Sequence, residues 1–284
     1  MLWGYAGLWP REFTGGRGID LGARLEFLVE WGLQCTGMIP QMLDAMGPER
    51  TDSIFSYLAE HDLHLSFASW GGIFVDDDAA KRHREELLAS IERHKDDGRA
   101  VIVTTAAGSV HRFQRDPPLE RQLDILTERL IPLAAGVNQL GLKLGIENHG
   151  DYYISDLVEL CSRVPDLYLF LDTGNTYLIG EAAMPAIRAA APYTIGTHFK
   201  DHHVRPRLDT NPLQFEIGAA VLGEGDVGLG EAYAVLLEHA PDPENLVMEL
   251  ELIPPKDQDP VESLRKSLEF IHSLPSPQAM RASA

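Results

Sequence analysis

Residues Leu142–Gly150 read LKLGIENHG, and this stretch is the best starting point for deducing the fold. Its apolar part, which ends at Ile146, has the length of a buried strand and lacks helical spacing. The run then stops on Glu147, Asn148 and His149. Burying such groups without partners would cost roughly 2 kcal/mol or more each. We therefore expect that they find partners at the end of the strand or hold a ligand there.

Short apolar runs alternate with longer segments of helical character on both sides of this stretch. The predicted strands are residues 3–6, 33–36, 63–68, 100–104, 142–146, 167–172, 193–201 and 245–252. The predicted helices are residues 20–31, 48–61, 76–97, 118–140, 155–164, 181–190, 230–239 and 259–273. Strict alternation of this kind indicates a parallel sheet that is covered by helices.

Eight such units in about 250 residues have the size of an α/β protein with a single (β/α)8 TIM barrel. A doubly wound open sheet is the competing architecture, but an open sheet usually concentrates its site at one switch point. Here several successive strands end in polar residues, which favours the barrel. We expect one domain over residues 1–274 and a disordered C-terminal tail over residues 275–284.

Charge and composition exclude several classes of function. The formal net charge of −19 leaves no basic surplus to neutralise phosphates, which argues against binding nucleic acid or an anionic membrane. Cys35 and Cys161 are far apart and form no disulfide framework, so a reducing cytoplasm is expected. The N-terminus lacks the basic start of a signal peptide, and no apolar run reaches the ~18 residues of a membrane span. The pattern fits a cytoplasmic enzyme with a small-molecule substrate.

The last four predicted strands bring acids and an imidazole to one end of the barrel. The fifth strand ends at Glu147, the sixth at Asp172 and the seventh at His198, while the eighth carries Glu249 and Glu251. Carboxylates this close would repel one another, and a divalent cation would relieve the repulsion. Oxygen and nitrogen ligands without thiolate suit Mn²⁺, Mg²⁺, Co²⁺ or Zn²⁺. Because strand residues two apart share a face, either strand-eight glutamate could be the ligand.

Each of these residues also has an ordinary structural interpretation. A single acid at a strand end is most often a helix cap or a solvated group, and a lone histidine in a strand is more often a hydrogen-bonded core residue. The joint occurrence at four consecutive strand ends is what favours a metal site.

Several short motifs, in order along nearly the whole chain, resemble the xylose isomerase-like sugar phosphate isomerase/epimerase superfamily. They are GIENH at 145–149, LDTGN at 171–175, HFKD at 198–201, GEGD at 223–226 and the strand around Glu249. That superfamily includes ketose 3-epimerases, hydroxypyruvate isomerases and inosose dehydratases. The resemblance implies a TIM barrel with one divalent metal ion, often Mn²⁺, and its relatives are often homo-oligomers. The implied metal ligands are Glu147, Asp172, His198 and Glu249, the last because the family glutamate usually follows a short apolar run.

The chemistry that fits such a site is proton abstraction next to a carbonyl. A metal ion stabilises the enediolate charge that this step creates, and a carboxylate on each side of the substrate can remove and return the proton. The resemblance assigns this catalytic role to Glu147 and Glu249. The first interpretation is a metal-dependent isomerase or epimerase of a small sugar or hydroxy-carbonyl compound.

Two alternatives stay open at this point. The first is a lyase on the same site, of the inosose or dehydroshikimate dehydratase type, or the large subunit of a carbon-glycoside-cleaving enzyme. The second is a non-catalytic barrel that binds a sugar or a partner. Endonuclease IV shares the barrel but is disfavoured, because the net charge is negative and the third and fourth strands end without histidine.

Three residues that follow the strand ends are predicted to contact the substrate. Asn175 stands where many relatives have histidine; it can hydrogen-bond a hydroxyl but cannot shuttle protons at neutral pH. Lys200 and Asp201 are predicted to hold substrate hydroxyls or to order the metal ligands. The alternative for that pair is an ordinary surface ion pair.

Two further features near the expected mouth bear on the substrate. Residues 201–228 form the longest segment without a predicted element, and such a connection is usually functional. Within it, Arg205 is predicted to bind a carboxylate, phosphate or hydroxyl group. Trp9 and Trp70 lie near predicted strand ends and could form an apolar wall for a sugar ring.

Overall fold

The computed structural model describes residues 1–7, 9–17, 20–69, 72–95, 98–108 and 110–277. Its barrel strands are β1 (Leu2–Ala6), β2 (Cys35–Met38), β3 (His64–Ser69), β4 (Ala100–Ala106), β5 (Leu144–Glu147), β6 (Leu167–Asp172), β7 (Thr194–Phe199) and β10 (Val247–Glu251). These strands pair in parallel and close in the order β1-β10-β7-β6-β5-β4-β3-β2. The predicted (β/α)8 barrel is therefore confirmed.

Helices cover the outside of the barrel. They are α1 (Leu21–Trp31), α2 (Gln41–Met46), α3 (Pro48–Glu60), α4 (Asp77–His94), α5 (Leu119–Gln139), α6 (Ile154–Arg163), α7 (Asn175–Leu178), α8 (Ala183–Ala190), α9 (Leu229–His239) and α10 (Pro260–Ser273). Three of them begin after an aspartate whose carboxylate accepts a hydrogen bond from the backbone N–H three residues further along the chain. These aspartates are Asp20, Asp76 and Asp259. Such caps satisfy backbone N–H groups that the first turn leaves unpaired. Within the described ranges, no helix is both long enough and apolar enough to cross a membrane.

A small apolar cluster closes the barrel interior below the mouth. It contains Cys35, Ile102, Phe170, Ile195 and Val247. A Cβ atom placed on Gly196 would lie 2.8 Å from the Phe170 ring and 3.1 Å from Ile102, so these side chains meet across the barrel. The Phe170 ring in turn packs edge-on against His198, with ring centroids 4.8 Å apart. The His198 imidazole is therefore packed against this apolar cluster through the Phe170 ring.

The segment predicted to be irregular contains a β-hairpin instead. Strands β8 (His202–Arg207) and β9 (Gln214–Ala219) pair antiparallel and form their own two-stranded sheet after β7. The prediction was wrong because the hairpin buries little apolar surface. The side chains of Phe215 and Leu213 are 60% and 54% exposed, so no buried run marked the strands.

Two smaller predictions also need correction. Strand β2 begins at Cys35 rather than at Leu33. The reason is that Gly32 ends α1 in the left-handed conformation, and the Leu33 N–H bonds back to the Leu28 carbonyl of that helix. The short helices α2 and α7 were not predicted, since four to six residues are too few to show a helical period.

Candidate active site

The four strands that were expected to share a site are consecutive in the barrel, in the order β5, β6, β7, β10. The strand register places Asp172 opposite His198 and His198 opposite Glu249. Ligand atoms from Glu147, Asp172 and His198 lie within 4.8 Å of one another. These three residues, on adjacent strands, therefore form a candidate metal site.

Both glutamates of β10 reach this site, but their partners differ. Glu249 is 1% exposed; its Oε1 accepts a hydrogen bond from the Ser66 hydroxyl at 2.6 Å, and its Oε2 lies 3.5 Å from His198 Nε2. Glu251 Oε2 lies 2.8 Å from Lys200 Nζ and 3.4 Å from His198 Nδ1. Glu249 is thus held by a neutral hydroxyl, whereas Glu251 is already paired with an ammonium group.

Asp172 is fully buried and its position is fixed by its surroundings. Its Oδ1 accepts hydrogen bonds from the backbone N–H groups of Gly174 and Asn175, each at 2.9 Å. Its Oδ2 accepts one from Lys200 Nζ, also at 2.9 Å. The Asn148 amide pairs with both the N–H and the C=O of Asp172, at 2.8 and 2.9 Å. The carboxylate is therefore held by the turn that follows β6 and by Lys200, which directly follows β7.

The buried charges at the site shift one another's protonation. Burial alone would lower the pKa of His198, but the charge and the 3.0 Å hydrogen bond of Glu147 raise it well above its usual range. Burial raises the pKa of Asp172, although the nearby Lys200 acts in the opposite direction. Burial would also raise the pKa of Glu251, but the charges of His198 and Lys200 bring it below its usual value. Without a metal ion, His198 is thus held in its protonated form.

This arrangement fits a divalent cation. Four carboxylates, those of Glu147, Asp172, Glu249 and Glu251, surround two groups that can carry positive charge, Lys200 and His198. Even with both of these protonated, the cluster keeps an excess of negative charge. Carboxylate and imidazole donors without thiolate are the ligands that Mg²⁺, Mn²⁺, Co²⁺ or Zn²⁺ can use.

Asn175, Lys200 and Asp201, which were predicted to contact the substrate or to order the metal ligands, are buried and hydrogen-bonded to their neighbours. Asn175 is 3% exposed; its amide donates to the Asn148 carbonyl at 3.0 Å and accepts from Lys200 Nζ at 3.2 Å. Asp201 is 2% exposed, and its carboxylate accepts hydrogen bonds from four backbone N–H groups, those of His202, Gly223, Gly225 and Val227. Asp201 thus orders the GEGD loop. A Cβ atom on Gly225 would lie 2.1 Å from the Asp201 carboxylate, so this close approach requires glycine.

The other two predicted substrate residues are Arg205 and Trp70. Arg205 lies on β8 of the hairpin and is exposed. Trp70 falls outside the residues that the structure describes.

A cavity of about 340 Å³ opens at the mouth of the barrel beside the site. Its polar lining includes Arg24, Ser66, Glu147, His149, His198, Glu249 and Glu251. Its apolar lining includes Trp9, Met38, Ile39 and Met42. The sequence reasoning identified Trp9 but missed Arg24. The one feature of the sequence that could have indicated Arg24 is that it is a charged residue among the apolar residues at the start of α1.

The chain matches the model of the family described as Xylose isomerase-like TIM barrel over residues 25–278. The chain therefore belongs to this family, as its motifs predicted. No curated protein matches it in sequence.

Solved structures with the same fold include proteins with different activities. A Xylose isomerase-like TIM barrel protein from Mycobacterium smegmatis in complex with magnesium is 16% identical, with a TM-score of 0.66, and the match covers 93% of this chain and 90% of that one. D-Psicose 3-epimerase from Clostridium cellulolyticum H10, solved with D-tagatose, is 14% identical, with a TM-score of 0.67 and coverages of 96% and 99%. The probable 3-DHS dehydratase AsbF from Bacillus anthracis is 15% identical, with a TM-score of 0.68 and coverages of 96% and 99%. At these identities the likeness shows the shared fold.

Proposed function

We propose that this protein is a metal-dependent isomerase or epimerase of a small sugar or hydroxy-carbonyl compound. The observation that carries the proposal is the convergence of Glu147, Asp172 and His198 on one point, with Glu249 beside them at the mouth. Membership of the xylose isomerase-like family supports it.

The metal ligands in this proposal are Glu147, Asp172, His198 and Glu249. Mn²⁺ is our first choice from the resemblance, while the magnesium bound in the Mycobacterium smegmatis protein keeps Mg²⁺ open, and Co²⁺ and Zn²⁺ suit the same ligands. When bound, the ion supplies Lewis acidity that stabilises negative charge on the oxygens of a carbonyl and its neighbouring hydroxyl.

Glu147 and Glu249 are proposed to move the proton. They stand on β5 and β10, with the strands of Asp172 and His198 between them. A substrate between these two carboxylates could lose a proton to one and receive it back from the other. The Ser66 hydroxyl holds one oxygen of Glu249, which orients the carboxylate.

Other residues have supporting or substrate-binding roles in this proposal. Lys200 and Asn175 hold Asp172 in place, and Asp201 orders the loop that follows the hairpin. Contacts of Arg205 and Trp70 with the substrate stay predictions from the sequence.

Deuterium exchange tests the proposed activity. The protein is stripped with a chelator, reloaded with Mn²⁺ and incubated in D₂O with a panel of ketoses and keto-acids. We expect deuterium next to the carbonyl, with a loss of roughly 10²- to 10⁴-fold in rate for Glu147→Gln and Glu249→Gln. Glu60→Gln, an exposed change of the same chemistry on α3, serves as the matched control. A metal-loaded protein that exchanges no substrate in the panel would contradict the proposal and favour a barrel that only binds a sugar or partner.

A dehydratase is the second candidate, and one observation favours it. Elimination of water needs an acid that protonates the leaving hydroxyl, and His149 lines the same cavity as Glu147. The likeness to the Bacillus anthracis protein points in the same direction. Formation of an unsaturated carbonyl product, followed by its ultraviolet absorbance, distinguishes elimination from isomerisation. Replacing His149 by Asn should abolish that product while leaving deuterium exchange in place.

A further inference from the structure

Arg24 of α1 places a guanidinium group on the wall of the same cavity as Glu147 and Glu249. Its Nη2 donates two hydrogen bonds of 2.6 Å, to the Thr36 hydroxyl and to the Gly37 carbonyl. Its guanidinium carbon lies 4.7 Å from the centroid of the Trp9 ring. Two hydrogen bonds and a stacked ring therefore hold the group in a defined orientation.

This cation has no charged partner among the residues that the structure describes. Arg93 and Arg163 each pair with carboxylates, but no described carboxylate lies within 4.0 Å of Arg24. Its Nε is buried without a hydrogen-bond partner, and its Nη1 also has none but is not a buried atom. A partly desolvated charge is costly unless something pairs with it. The Nη1 group of the guanidinium is therefore available to a ligand.

The group also lies close to the proposed proton-transfer residues. The Gly37 carbonyl accepts from Arg24, and a Cβ atom on Gly37 would lie 3.6 Å from Glu249 Oε2. One residue thus separates the guanidinium from the carboxylate. Burial lowers the pKa of Arg24 to about 10, with the charge of Glu249 acting in the opposite direction, so the group stays protonated at neutral pH.

We propose that Arg24 binds a carboxylate group of the substrate, so that the enzyme acts on a sugar acid or a related hydroxy- or keto-acid in preference to a neutral ketose. This inference rests on the proposed function for the reaction itself. The accessible Nη1 group can donate a charge-assisted hydrogen bond to a carboxylate oxygen, and the guanidinium charge offsets the charge of that ligand. A phosphate dianion fits less well, because it would bring a second negative charge into a cavity lined by three glutamates.

Binding of a non-reacting sugar acid tests this without the reaction. Titration calorimetry of the chelator-treated protein with D-gluconate should detect binding that Arg24→Gln weakens by roughly 10- to 100-fold. Arg24→Lys keeps the charge but loses the planar group that Thr36 and Gly37 hold in orientation, and we expect an intermediate affinity. Arg82→Gln, an exposed arginine on α4, is the matched control. Arg205→Gln tests the residue that the sequence indicated, and thermal unfolding of every variant checks that it is folded.

Substrate preference gives the second measurement. In the exchange assay, a keto-acid should have a higher kcat/KM than the ketose that carries CH₂OH in place of its carboxylate, and Arg24→Gln should reduce this ratio mainly through KM. Equal D-gluconate affinity of wild type and Arg24→Gln would overturn the inference, and so would tighter binding of a sugar phosphate. A failure of the proposed reaction looks different: no substrate would exchange deuterium, yet the gluconate difference at Arg24 would persist.

Discussion

At the scale of the residue, His198 connects metal binding to pH. Burial would lower its pKa, but the carboxylates of Glu147, Glu249 and Glu251 together raise it well above its usual range, so the metal-free side chain is protonated at neutral pH. A histidine binds a metal ion only in its neutral, deprotonated form, and metal binding therefore has to release this proton. We expect the affinity for Mn²⁺ to rise with pH, by about tenfold per pH unit as long as His198 is protonated in the metal-free protein, because one proton competes with the ion. Calorimetry in buffers of different ionisation enthalpy measures the proton released.

The matched variant for that prediction is His198→Asn. It should bind Mn²⁺ more weakly and release no proton on binding. An affinity for Mn²⁺ that does not change with pH in the wild type would contradict the assignment of His198 as a ligand.

At the scale of the element, the loop after the hairpin depends on one carboxylate. Asp201 accepts hydrogen bonds from N–H groups at 202, 223, 225 and 227, so a single side chain orders a turn more than twenty residues away in sequence. Asp201→Ala leaves these buried donors unpaired, and we expect a loss of about 2–4 kcal/mol in the free energy of unfolding. Hydrogen exchange of the amides at 223–227 should speed up, while that of β2 should not. Asp209→Asn, at the exposed turn of the hairpin, is the control, and unchanged exchange at 223–227 in Asp201→Ala would show that other contacts order the loop.

At the scale of the whole molecule, a bound ion would tie together four strands that span the second half of the chain. The ligands proposed on β5, β6, β7 and β10 lie between residues 147 and 249, so an ion bound to the folded barrel alone stabilises all of it. At a Mn²⁺ concentration of 100 times Kd, the gain is about 2.7 kcal/mol, which corresponds to a rise of roughly 4–5 °C in Tm for a chain of 284 residues. Thermal unfolding with Mn²⁺ and then with excess chelator measures this.

Matched variants test the assignment of the site. Asp172→Asn should lose the rise in Tm on addition of Mn²⁺, and the exposed Asp257→Asn should keep it. A wild-type Tm that does not change with Mn²⁺ would argue against a metal site.

The barrel and the residues at its strand ends could be predicted from the order of apolar and polar residues along the chain. Both follow from local rules, since the alternation of strands and helices dictates a parallel sheet, and the last polar residue of each strand must then lie at the same mouth. That reasoning brought Glu147, Asp172 and His198 together before any coordinates. Which polar groups face the cavity and which bond to each other depends on the packing of segments that are distant in the chain. Arg24 lines the cavity because α1 packs beside β2, where the Gly37 carbonyl accepts a hydrogen bond from its guanidinium. The Asp201 carboxylate is bonded to backbone N–H groups of a loop that is distant in sequence. Such contacts join residues that are remote in sequence, and no local pattern encodes them.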